Sequence, residues 1–328
     1  MAADRVAVLL TGAGKRYDIV SAFAQHAFTI AADPSPLAPA QYAADLRVAP
    51  PPFESDEYVP FLQDLVREHD VRAVVPLTDL DIEILGRADL PAFVPPPDVA
   101  RATFDKWEAH ELLLAHGLPS PPTVLPGDEP PSYPVVVKPR RGSGARSIHM
   151  AADREQAEFF ARYVDEPAMV QKLLTGPHFS IDLICDLDGR CLNAIPRSML
   201  ESRGGESIKG KVTRDPELIE LGRRLGETLG VRGPCTFQVF NDPDVGLAIY
   251  DVNTRFGGAF PSHMYAARLG RTYPELIVRM ARGETVEPHV GDFADGITFT
   301  RFFWQIELDE QLEPTGRDIV DGGPRPPR

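Results

Sequence analysis

Lys138 closes a β-branched run, Val135-Val136-Val137-Lys138-Pro139, and Gly142, Ser143 and Gly144 follow it almost at once. Such a trio suits a phosphate: the ammonium supplies charge, glycines let backbone amides approach closely, and a serine hydroxyl can donate to a phosphate oxygen. A basic surface loop would show the same residues. A second group lies downstream, where two short runs flank a turn at residues 241–246. Antiparallel pairing about that turn brings Gln238 beside Asp251 and Asn253. Period-two alternation then sets Asp251, Asn253 and Arg255 on one face, with Val252 and Thr254 on the other. Magnesium takes oxygen ligands and shares them with substrate phosphates, so Gln238, Asp251 and Asn253 are chemically suitable. Arg255 suits a transferring phosphoryl group. The plainer alternative is a polar edge strand ending in the Gly257-Gly258 turn.

Residues 197–218 form a third group, mixing Arg197, Arg203, Glu206, Lys209 and Lys211 with glycines. Arg203 can pair a carboxylate, Glu206 can receive an amine, and Lys211 can assist a phosphoryl group. A flexible charged loop would read the same way.

The elements that must hold these groups are legible in outline. Residues 5–10 form an apolar run ending in Thr11-Gly12-Ala13-Gly14, after which Ile19, Val20, Phe23 and Ala24 recur at helical spacing. Further runs at residues 28–32 and 71–76, with a helical stretch at 58–68 between them, predict a parallel sheet covered by helices. Asp33 stands where a dinucleotide-binding turn keeps an acidic residue, yet Tyr17 occupies the third glycine position and Leu9 breaks a Walker loop, so a structural glycine turn is favoured. Asp79, Asp81 and Glu83 follow the third run, either as ligand contacts at the sheet's carboxyl edge or as a solvated acidic turn. From Phe104 a single amphipathic helix carrying Lys106 is expected, closed by Gly117. Residues 168–174 give another strand. A hairpin follows across Asp188-Gly189, and a helix opens at Asp215.

Composition bounds the function. The chain has 328 residues, 43% of them hydrophobic, and a formal charge of -14, which disfavours general nucleic-acid binding. No run approaches the roughly 20 apolar residues of a membrane span, and no signal-peptide pattern opens the chain, so a cytoplasmic protein without membrane contact is expected. Cys185, Cys191 and Cys235 lack metal-ligand spacing and read as core residues. The 33 prolines cluster at block boundaries.

In order, Lys106, VVVKPRRGSGARS, MVQKLLTGPHFSID, FQVF and YDVNTRFGG resemble the ATP-grasp superfamily, particularly enzymes related to the carbamoyl phosphate synthase large subunit and biotin carboxylase. The resemblance implies an α/β fold: an amino-terminal open parallel domain at residues 1–97, a first lobe at 98–172 and a second lobe at 173–320; the low-complexity, proline-rich end predicts a disordered tail at 321–328. It implies that Lys106 and Lys138 bind ATP phosphates beneath a loop holding Gly142, Ser143 and Gly144. Gln171, Lys172 and Leu174 would read the adenine, with His178 near the ribose, and Gln238, Asp251 and Asn253 would hold magnesium, which manganese can replace. Arg255 would steady the transferred phosphoryl group; residues 197–218, by their own chemistry, add Lys211 there, and Arg203 and Glu206 at the substrate. The hinge pair Gln171-Lys172, His178 in place of an acidic residue and Asp251 in place of glutamate depart from the usual pattern. The implied reaction is ATP-dependent joining of a small carboxylate to an amine through an acylphosphate, releasing ADP and phosphate, with a homodimer compatible. A nucleotide-binding regulator without turnover and a dinucleotide-dependent oxidoreductase remain the competing readings.

Overall fold

The computed structural model of the chain describes residues 5–142, 144, 146–258, 262–268, 270–303 and 305–316. The expected disordered tail, residues 321–328, lies outside them, as does Ser143.

Strands β1 (Ala7–Thr11), β2 (Phe28–Ala32), β3 (Leu46–Val48) and β4 (Val71–Pro76) form a parallel sheet in the order β3-β2-β1-β4. Both faces are covered, which is why β1, and β4 beyond the exposed Arg72, read as continuous apolar runs rather than alternating ones. Val8 and Leu10 share a core with Ile19, Val20 and Phe23 of helix α1 (Tyr17–Ala24). Leu9 and Ile30 face Tyr58, Leu62 and Leu65 of α2 (Tyr58–His69) on the other side. Helix α3 (Ile82–Arg87) follows β4. The edge strand β3 was not expected; three half-exposed residues give too short a pattern to announce themselves.

The single helix expected from Phe104 is two, α4 (Pro97–Phe104) and α5 (Lys106–Ala115). Asp105 breaks them: its backbone is extended, and its carboxylate accepts from the amides of Trp107 and Glu108 while pairing with Arg140 at 2.8 Å. An aspartate N-cap favours starting a helix over continuing one.

The first lobe is an antiparallel sheet of β5 (Thr123–Val124), β6 (Val135–Pro139), β7 (His149–Ala151) and β8 (Ala168–Lys172), in the order β5-β8-β6-β7. Helix α6 (Arg154–Tyr163) covers it, packing Ala157 and Phe160 against Val135, Val137 and Val170.

The second lobe pairs β9 (His178–Cys185), β10 (Cys191–Arg203), β11 (Glu206–Val212), β12 (Gly233–Asp242), β13 (Gly246–Asn253) and β14 (Thr298–Thr300) in the order β13-β12-β9-β10-β11-β14. Helix α7 (Pro216–Thr228), capped by Asp215, lies close on one face because a side chain at Gly222 would meet Ala194 Cβ at 2.8 Å. Helices α8 (Ser262–Ala266) and α9 (Tyr273–Ala281) follow β13. Tyr273, Leu276 and Ile277 of α9 join Ile184 and Ile195 to the core of the amino-terminal sheet, so the two halves meet through apolar packing. Cys185, Cys191 and Cys235 are free and buried, as expected. Among the described residues no helix is long and apolar enough to cross a membrane.

The charged segment around residues 197–212 is a hairpin rather than an irregular loop: β10 runs on to Arg203, turns through Gly204 and Gly205 at φ 57° and 77°, and returns as β11. Its alternation is masked by charges on both faces of the exposed tip.

Candidate functional site

Lys138 sits on β6 after Val137, which faces the lobe core, and its side chain turns the other way. Its Nζ donates to Gln171 Oε1 at 2.9 Å and to the Tyr250 carbonyl at 3.5 Å, and lies 5.4 Å from the centre of the Tyr250 ring. Gln171 is fixed in turn, its amide donating to Thr123 Oγ1 at 2.9 Å. Burial pushes the Lys138 pKa down to about 8; Asp251 pulls it back and Lys106 adds to the drop. The field of Asp251 at Lys138 puts the two sequence groups at one site. Lys106, Gln171, Tyr250 and Asp251 line a common small cleft with Thr103 and His110.

Lys106 opens α5, where its Nζ donates to the Gly142 carbonyl at 2.8 Å and so ties down the glycine loop. Gly142 and Gly144 hold φ of 120° and 73°, values that side chains resist, so this course needs glycine. A side chain at Gly204 would stand 3.5 Å from the Gly144 carbonyl oxygen, so the β10–β11 tip rests on the loop. Ser143, proposed as a phosphate donor, lies outside the described residues.

The register of β12 and β13 sets Gln238 opposite Asp251 and Thr236 opposite Asn253. Asn253 Nδ2 donates to Asp251 Oδ2 at 2.7 Å, and Arg255 donates to Asn253 Oδ1 at 3.1 Å and to Asp79 at 2.7 Å. Val252 and Thr254 are buried on the opposite face. Asp79 therefore anchors Arg255 to the amino-terminal sheet. The other two members of that acidic turn differ: Asp81 is neither ligand contact nor solvated but buried against the Tyr58 hydroxyl at 2.7 Å, whereas Glu83 keeps to the solvated alternative, pairing with Arg87 on the surface of α3.

Tyr250 was missed. The β12–β13 register slips between Gln238 and Val239, whose partners are Asp251 and Ile249, leaving Tyr250 as the extra residue of a β-bulge. The bulge turns Tyr250 toward the site beside Asp251, which strict alternation forbids. Its hydroxyl donates to Gln238 Oε1 and lies 2.9 Å from His178 Nε2. His178 stacks on Phe240 with centroids 4.3 Å apart, and burial lowers its pKa to about 4, so it is neutral near pH 7.

Some expected residues stand elsewhere. Lys172 turns to the acidic β12–β13 turn, pairing with Asp244 at 2.8 Å, and its amide donates to the Pro122 carbonyl. Leu174 is half-buried. Arg203 and Lys211 are exposed on the hairpin, with no ion pair to the Asp251 group among the described residues. Glu206, expected to receive an amine, is already engaged by Lys15 and by Arg301 at 2.7 Å. The amino-terminal glycine turn is likewise committed: Asp33 accepts from the amides of Gly14 at 2.7 Å and Ser35 at 2.9 Å, which spends the carboxylate a dinucleotide ribose would need.

Residues 103–259 match the family model for the ATP-grasp domain. The chain carries an ATP-grasp domain. Residues 8–91, ahead of it, match the PylC-like N-terminal domain. The chain is 28% identical over 173 residues to the carbamoyl phosphate synthase large chain of Agathobacter rectalis, covering 47% of this chain and 15% of that one. It is 26% identical over 224 residues to D-alanine--D-alanine ligase of Corynebacterium efficiens, covering 58% and 62%. The matches thus span less than two thirds of these curated relatives. Its fold is similar to that of N5-carboxyaminoimidazole synthetase from Staphylococcus aureus complexed with ADP, with a TM-score of 0.71 at 15% identity, covering 87% of this chain and 79% of that one.

The ATP-grasp domain thus gathers Lys138, Gln171, Gln238, Asp251, Asn253 and Arg255 on facing sheets. Its candidate metal donors are all oxygens, and no group of three or more His, Cys, Asp or Glu residues is poised for a metal among the described residues. One carboxylate and two amide oxygens suit a hard cation that completes its shell with phosphate and water, and do not suit a soft one.

Proposed function

We propose that this protein is a cytoplasmic, magnesium- and ATP-dependent carboxylate–amine ligase acting on small molecules, with formation of an acylphosphate and release of ADP and phosphate. The convergence of Lys138 from the first lobe with Asp251, Asn253 and Arg255 from the second carries the reading. Phosphoryl transfer needs positioning and neutralised charge more than covalent help, and these side chains supply both.

Lys138 and Lys106 would hold phosphate oxygens, while Gln171 and the end of β8 that carries it would face the base. Gln238, Asp251 and Asn253 would hold magnesium, which neutralises charge on the phosphates; manganese would serve in the same oxygen set. Arg255, braced by Asp79, would steady the phosphoryl group in flight. The glycine loop, with the hairpin tip on it, would keep water from the acylphosphate. Lys172 and His178 take lesser parts than their positions suggested, since one is paired with an acidic turn and the other with Tyr250.

A non-catalytic nucleotide sensor draws support from one observation: Asp251 is the only carboxylate in the donor set. Incubation with ATP, magnesium and a mixed library of amino acids and carboxylic acids, followed by mass spectrometry, separates the two. A condensation product together with ADP establishes a ligase. Tight ATP binding with no product across the library would establish the sensor.

A further inference from the structure

Glu206 is held at a junction of three separate segments. Lys15 comes from the amino-terminal glycine turn, Glu206 from the start of β11, and Arg301 from just beyond β14. Burial raises the Glu206 pKa, but Lys15 and Arg301 outweigh it and hold the carboxyl below its usual range, so it stays ionised. Two cations on one carboxylate leave a single positive charge. Arg16 and Asp18 beside them cancel, and Arg203, registered opposite Glu206, adds a further cation.

The junction is also close to the transfer centre. Gly205, the residue before Glu206, accepts from Gln238 Nε2 at 3.3 Å, and a side chain at Gly258 would stand 3.2 Å from Glu206 Oε1. Arg16 donates to the Gly257 carbonyl, fixing the chain that leaves Arg255. The Arg301 guanidinium lies 6.0 Å from the centre of the Phe303 ring, and that ring is 80% exposed. Lys15 is more than half exposed, so its ammonium can take a second partner.

We propose that Lys15 and Arg301 form the carboxylate subsite for the acceptor, an amino acid with a free carboxylate and an apolar side chain. This rests on the ligase reading and names the class of its amine substrate. Glu206 spaces the two cations and neutralises only one of them, so that with Arg203 opposite it the junction stays positive toward a carboxylate, while the Phe303 face takes the apolar side chain. The acceptor amine then points to the side of Gln238 and Arg255, where the acylphosphate would form. Its attack makes the C–N bond, expels phosphate and releases the amine proton to solvent.

The test starts from a donor–acceptor pair found by mass spectrometry among ordered pairs of amino acids with ATP and magnesium, each acceptor being supplied also as its carboxamide. The acceptor carboxamide should have a KM at least roughly tenfold above that of the free acid, the loss expected for one charge-assisted contact. Arg301→Gln and Lys15→Gln should raise the acceptor KM similarly for the free acid only, with the KM for ATP unchanged. Equal KM values for acid and carboxamide, or variants that leave the acceptor KM alone, overturn the subsite while the ligase stands. No product from any pair overturns both.

Discussion

Lys138 meets Tyr250 twice, through the carbonyl at 3.5 Å and over the ring at 5.4 Å, so a single side chain of the first lobe spans to the strand that carries Asp251. The contact sets the electrostatics of the cleft. An ammonium taken out of water this far holds its proton only to about pH 8, against 10.5 in an open chain.

Lys138→Met should therefore separate function from stability. Loss of the cation is expected to lower ATP-dependent turnover by about a hundredfold, as when a charge-stabilising donor is removed from a transition state. Between pH 8 and 10.5 the unfolded chain keeps a proton that the native lysine has released, so wild-type stability rises with pH across that window. Below it the burial penalty is fully present, and the variant should be more stable at pH 7 by on the order of 2 kcal/mol. Urea denaturation at pH 7 and pH 10 reads this directly. A variant weaker than wild type at pH 7 would contradict the burial argument.

Asp251→Asn keeps the shape of the donor set and removes its only charge. Turnover should fall, and the magnesium concentration for half-maximal activity should rise by roughly tenfold or more, since carboxylate charge dominates the protein's share of the binding. A magnesium titration of phosphate release checks it. An unchanged half-point would place the metal elsewhere.

Tyr250→Phe removes a hydroxyl that donates to Gln238 Oε1 and can accept from the neutral His178 imidazole, leaving both half-buried groups without that partner. The expected loss is about 1–3 kcal/mol, divided between stability and catalysis. Because the Tyr250 hydroxyl is kept neutral by burial, with Asp251 adding to the effect, its contribution should not vary between pH 6 and 9. Comparing kcat/KM of the two proteins across that range would expose a titrating tyrosine if there were one.

Tyr250 also marks how far the sequence could be read. The β12–β13 pairing and the shared face of Asp251, Asn253 and Arg255 follow from period-two alternation, a local property. A bulge is a mismatch between two strands, so neither strand announces it alone. The same holds for Glu206: its charge suggested an amine site, but its partners Lys15 and Arg301 lie 191 and 95 residues away, and only the folded chain brings them in. Asp105 is the opposite case, since an Asp before a helical run is a start signal and the break between α4 and α5 was available to a closer reading.

Asp81 carries the remaining prediction. It is wholly buried beneath the amino-terminal sheet, its Oδ2 accepting from the Tyr58 hydroxyl, and burial raises its pKa from 3.8 to about 6. The native carboxyl keeps a proton that the unfolded chain has lost between those values, so its contribution to stability falls as pH rises through the window and stays low above it. Asp81→Asn preserves an acceptor for Tyr58 and removes the charge, so the gain in stability should be on the order of 2–3 kcal/mol at pH 7.5 and about a third of that at pH 4.5. Denaturant midpoints at the two pH values measure it. Activity should be unaltered, because Asp79, and not Asp81, reaches Arg255. An equal stability change at both pH values would show that packing, rather than ionisation, governs the site.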